Sequence, residues 1–258
     1  MNYSREKLLD AACKLGRGLL ENGGEVYRVE QAIDFFMKAY NIADAQIFAI
    51  PATIIVTIPG EDGKPITQLE RVTSIAQNMD RLHKVNDLCR WVCENAPSPE
   101  TIAEKLDDIH QSKLYSFVQV MVAYGVASAF FCYFWGGNTG DAIVAFIAGL
   151  ATEYCLKYMN RAKANVFFSN MVSSMVIAVV AILGMVLGLG NSIDMIIIGA
   201  IMTLVPGVGI TNIMRDIISG DVITGTNKIA EVMLIAISIA IGIALPLSAF
   251  TNIFGGVL

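Results

Sequence analysis

Residues 166–190 read VFFSNMVSSMVIAVVAILGMVLGLG, a run without one charged side chain. At 1.5 Å of rise per residue, a helix of that length reaches roughly 38 Å, enough to cross a hydrocarbon layer roughly 30 Å thick. Four further apolar segments of about spanning length flank it: Leu114–Trp135 and Asp141–Met159 before, Ile193–Asn212 and Ile229–Phe250 after. The fold class this predicts is an α-helical integral membrane protein with about five transmembrane helices and an N-terminal cytosolic α/β domain.

Charge divides the chain the same way. Residues 1–112 hold 12 of the 18 Lys+Arg and 17 of the 23 Asp+Glu, so the sequence predicts a cytosolic domain over 1–112 and a membrane domain over 113–258. The remaining basic residues set the orientation. Lys113 precedes the first span, Lys157, Arg161 and Lys163 join the second to the third, and Arg215 and Lys228 join the fourth to the fifth. By the positive-inside rule the N-terminus is cytosolic and the C-terminus outside.

Within 1–112, Leu8, Leu9, Ala12, Leu15, Leu19 and Leu20 recur at helical spacing, with Ser4 as an N-cap and Gly23-Gly24 as the stop. A second helix is expected over Glu25–Tyr40. The β-branched run from Gln46 to Ile58, the turn Pro59-Gly60-Glu61-Asp62-Gly63 and residues 66–71 read as strands, and helices return over 75–94 and 100–110. The charged residues between Arg5 and Arg17 do not read as a signal peptide.

Composition excludes several functions. A net charge of −5 supplies no basic stripe for nucleic acid. Five cysteines, an odd count, suit a reducing cytosol better than a disulfide framework, and Cys89 with Cys93 lacks the partners of a metal site. His83 and His110 form no His-Glu-x-x-His run, Ile218-Ser219-Gly220-Asp221 departs from the Gly-x-Gly-Asp of membrane aspartyl proteases, and there is no Gly-x-Ser-x-Gly. We expect no enzyme, no cofactor and no metal.

Polar groups at membrane depth are the candidate substrate and proton pathway. With Asp141 at the outer edge, Glu153 lies about 18 Å along its helix, inside the hydrocarbon, unless Lys157 pairs with it and snorkels toward the cytosolic face. Thr203 lies about 14 Å and Pro206 about 18 Å from Asp194, so Pro206-Gly207-Val208-Gly209 predicts a helix broken near the midplane, where half-helix ends and freed carbonyls serve transporters. Asn212 and Asp216 share a face beyond it, and Asp221 and Glu231 extend an acidic set. Asn170, Ser173 and Ser174 either line a path or bond across an interface. Gly184 with Gly188, and Ala236, Ala240 and Ala244, have the spacing of close helix contacts.

With these residues in view, nearly the whole chain resembles the N-terminal half of the threonine/serine exporter family of bacterial inner-membrane transporters. The pattern runs through Gly16, Leu19-Leu20, Gly23-Gly24-Glu25 and Arg28-Val29-Glu30, then Pro51-Ala52-Thr53, Thr57, Thr67 and Arg71. In the membrane half it runs through Gly137, Gly140-Asp141, Phe146 and Gly149, and most specifically through Pro206-Gly207, Asn212, Arg215-Asp216, Ser219-Gly220-Asp221 and Gly225. The resemblance implies export of threonine and serine driven by the proton motive force, and a related two-subunit system exports dicarboxylates such as succinate. It also implies a small membrane partner subunit that supplies the second half. A homo-oligomer covering the same surface, or a non-transporting anchor or regulatory subunit, stays open at this point.

Overall fold

The computed structural model describes residues 3–73, 75–112, 115–218, 220 and 222–254. The chain forms two compact units, Met1–Lys113 with Asn212–Asn227, and Leu114–Thr211 with Lys228–Leu258.

The first unit opens with α1 (Arg5–Glu21) and α2 (Val26–Ala39), followed by β1 (Gln46–Ile50), β2 (Thr53–Pro59) and β3 (Pro65–Arg71), then α3 (Met79–Asn95) and α4 (Pro99–Gln111). The strands form one antiparallel sheet in the order β1-β2-β3. Pro51-Ala52 closes the first hairpin with Ile50 opposite Thr53, and β2 alternates so that Ile54, Val56 and Ile58 face the core. There they join Leu9, Leu20, Val29, Ile33, Val85 and Ile102. The expected elements are all present, with one start displaced. The third helix begins at Met79 instead of residue 75, because the Asn78 side chain accepts from Arg81 N at 3.0 Å and caps it there, leaving Ile75 exposed.

The second unit contains α5 (Phe117–Phe134), α6 (Thr139–Arg161), α7 (Val166–Val186) and α8 (Ile193–Ile201). Two elements have residues in both units: α9 (Gly207–Ile218) and α10 (Val222–Phe254). Among the described residues, four helices are long and apolar enough to cross a membrane: α5, α6, α7 and Thr224–Ile253 of α10. The fourth expected segment, Ile193–Asn212, is instead divided between α8 and α9.

Small residues let these helices touch. A Cβ on Gly125 would meet Phe146 at 2.9 Å, one on Gly184 would meet Val144 at 2.5 Å, and one on Gly199 would meet Cys132 at 2.7 Å. Gly242 of α10 packs against Ser174 and Met171 of α7. Two expectations are corrected here. Gly188 has open space around it and a positive φ of 69°, so it ends a helix and packs against nothing. Ala236, Ala240 and Ala244 are exposed, because α10 turns Ser238, Ile239 and Gly242 inward.

Asp141 is 2% exposed and ties helix ends together. It forms a reciprocal cap with Asn138, each backbone N–H donating to the other's side chain at 2.9–3.0 Å. Its second oxygen accepts from Asn191 N at 2.6 Å and Ser192 N at 2.9 Å, in the connection between α7 and α8.

Candidate functional site

In the first unit the chain turns sharply after α1. Gly23 takes φ of 91°, a conformation that favours glycine, and Gly24 N donates to Leu19 O at 2.9 Å. Glu25 follows at the N-cap of α2, its backbone oxygen accepting from Arg28 N and Val29 N. Ser, Thr, Asp and Asn are the usual caps, and the Glu25 side chain makes no capping bond. Its carboxylate goes elsewhere. Glu25 is 6% exposed and pairs with Arg28 Nε at 2.7 Å and with Arg215 Nη1, which lies 190 residues further along the chain.

Arg215 stands in the last turn of α9, where a cation suits the helix dipole. Next to it Asp216 is fully buried. Gly220 takes φ of 92° after the helix, and Gly225 near the start of α10 packs so closely that a Cβ would meet Ile217 Cγ1 at 2.6 Å. The segment Asn212–Asn227 belongs with the N-terminal residues to the first unit. One carboxylate, Glu25, serves two guanidinium groups. Glu25, Arg28 and Arg215 stand in the family pattern but not among the candidate site residues.

Glu30, also in this stretch, accepts from Ala49 N at 2.9 Å and fastens α2 to β1. Of the nine expected site residues, the first unit holds Asn212, half-buried, and Asp216, while Asp221 lies outside the described residues.

The other six are in the second unit. Asp141 is engaged as described above. Glu153 is half-buried, and the Lys157 ammonium lies over the Phe117 ring, 3.4 Å from its centroid. Asn170 donates to Val166 O at 2.9 Å and Ser174 donates to Asn170 O at 2.8 Å, so both bond to their own helix. Thr203 donates to Ala200 O at 2.8 Å as α8 ends.

The interruption covers Met202–Pro206, just ahead of the expected run, and Gly207-Val208-Gly209 already belongs to α9. Val205 N still bonds Ile201 O at 3.1 Å, Pro206 has no N–H to give, and the helical pattern resumes with Ile210 N on Pro206 O at 3.0 Å. Gly207 is exposed, and a Cβ on it would meet nothing within 4 Å. Among the described residues, no group of three His, Cys, Asp or Glu side chains is placed to hold a metal ion.

Comparison with known proteins then bears on the family. The model of the threonine/serine exporter family matches residues 10–250. A threonine/serine exporter of Corynebacterium glutamicum is 22% identical over 92% of this chain and 50% of its own length. A protein of Mycobacterium tuberculosis named as a probable threonine/serine exporter is 19% identical over 95% of this chain and 47% of its own. The chain therefore spans about half the length of the curated relatives it matches. No solved structure matches it. With a family model covering all but its two ends, the chain belongs to the threonine/serine exporter family.

Proposed function

We propose that this chain is one membrane half of a secondary exporter of small metabolites, threonine and serine, driven by the proton motive force. It sits in the bacterial inner membrane with five spans, the fourth made of α8 and α9, the N-terminus in the cytosol and the C-terminus outside. A small partner subunit supplies the second half. The observation that carries the reading is the family match over residues 10–250. Support also comes from the interruption at Pro206-Gly207, since discontinuous helices supply substrate and ion sites in secondary transporters. Orientation rests on the basic residues between spans.

Efflux from cells expressing the chain alone, compared with cells expressing it together with its membrane partner, tests the proposal. Saturable, gradient-dependent efflux of threonine is expected only from the pair. Full efflux by the single chain would remove the need for a second half, and none from either would leave the anchor reading.

A substitution tests the break. Because the space around Gly207 is open, Gly207→Leu should leave insertion and thermal stability within about 0.5 kcal/mol of the parent, as surface changes do. Efflux should nonetheless be abolished if the added bulk enters the transport path, whereas Gly207→Ala should retain most of it. Normal efflux by Gly207→Leu would exclude the break from the path.

A further inference from the structure

A groove of about 680 Å³ runs between α2 and α3 in the first unit, within the range of small-molecule sites, roughly 300–1,000 Å³. Arg28, Gln31 and Phe35 line it from α2, and Asn86, Arg90 and Cys93 from α3. Phe35 is 57% exposed, an apolar platform beside polar groups. The lining carries two guanidinium groups and one carboxylate, Glu94. Behind Arg28 the imbalance is repeated, since its counter-ion Glu25 is shared with Arg215. Guanidinium groups are built to hold carboxylates by paired N–H donors.

We propose that this groove binds a small carboxylate between Arg28 and Arg90, and that its occupancy is passed through Glu25 to Arg215. A carboxylate on Arg28 competes with Glu25 for the same guanidinium. Released from Arg28, Glu25 concentrates its charge on Arg215, and through it on the turn that carries Asp216. The groove then reports the concentration of a cytosolic acid to the segment 212–227. That the acid is the cargo itself, a hydroxy amino acid or a dicarboxylate, rests on the exporter reading; the binding does not.

Cys93 is the probe. It lies in the groove and is half-buried, and burial, followed by the neighbouring Glu94, raises its thiol pKa, so maleimide labelling is run near about pH 8.5. Peptide-resolved mass spectrometry separates it from Cys155, also half-buried, and from Cys13, Cys89 and Cys132, which are buried. The full chain in detergent is labelled with threonine, serine or succinate at up to about 10 mM, and with threonine amide and succinamide as controls lacking the carboxylate.

At least one acid should slow Cys93 labelling several-fold, the amides should not, and Arg90→Gln should remove the protection. Protection by threonine or serine alone identifies an amino-acid site, and by succinate alone a dicarboxylate site. Labelling unchanged by all three acids, equal protection by the amides, or protection retained in Arg90→Gln overturns the site. Amide hydrogen exchange over residues 212–227 reads the coupling. It should change with the protecting acid in the parent and not in Arg90→Gln, and binding without any change there overturns the link to Arg215. Neither readout depends on efflux, so failure of the groove and failure of the exporter reading are told apart.

Discussion

Glu25→Gln and Arg215→Gln are each expected to lower the stability of the first unit by about 1–3 kcal/mol, the usual cost of removing a charged hydrogen-bond partner from a buried group. The lower half of that range applies when Glu25 is the residue changed, because Arg215 is 52% exposed and regains water. Arg215→Gln leaves the buried Glu25 with Arg28 alone, which is the more costly arrangement. Thermal unfolding of the full chain in detergent measures both. Efflux should fall with either substitution, because either one releases the turn that carries Asp216. The double variant should be no worse than the poorer single, since the interaction can be lost only once. Strictly additive losses would mean that the two residues act independently and that their ion pair does not hold the turn.

Asp216→Asn is expected to reduce gradient-driven efflux by about 5- to 150-fold, the span of an ordinary coupling free energy, while leaving exchange of labelled threonine in place. The substitution keeps size and shape and removes both charge and titration. Asp216 is fully buried. A proton-coupled cycle needs a group whose charge changes between states. Asparagine cannot supply one. Insertion and melting are measured beside transport, so that a folding defect is not read as uncoupling. Equal dependence on the proton gradient in variant and parent would refute the assignment.

The apolar helices were legible because a long run without charge leaves few other solutions, and residues 166–190 are the clearest case. The sheet was legible because β-branched residues cluster between Gln46 and Ile58 and turn residues follow. The interruption at Pro206 could be read from the missing donor alone. The pairing of Glu25 with Arg215 could not, since a contact across 190 residues leaves no periodicity. A weak signal did exist. Glutamate is a poor N-cap, and one that follows Gly23-Gly24 at a helix start breaks a local rule in a way that points to another use. Asp141 had a similar signal in Asn138-x-x-Asp141, the pattern of a reciprocal cap, but its reach to Asn191 and Ser192 depends on the fold. The inward face of α10 was misread because small residues occur on more than one side of that helix, and spacing does not choose between them.

The Asp141 carboxylate has a mechanical consequence. It grips Asn138 at the start of α6 and the two residues that lead from α7 into α8, so these three helix ends cannot separate without stranding a buried charge. They therefore travel as one lever. Beyond α8 the helical ladder lacks a donor at Pro206, and a swing of this lever is expected to be taken up there. A single carboxylate at a helix junction would thereby decide which part of the second unit is free to swing.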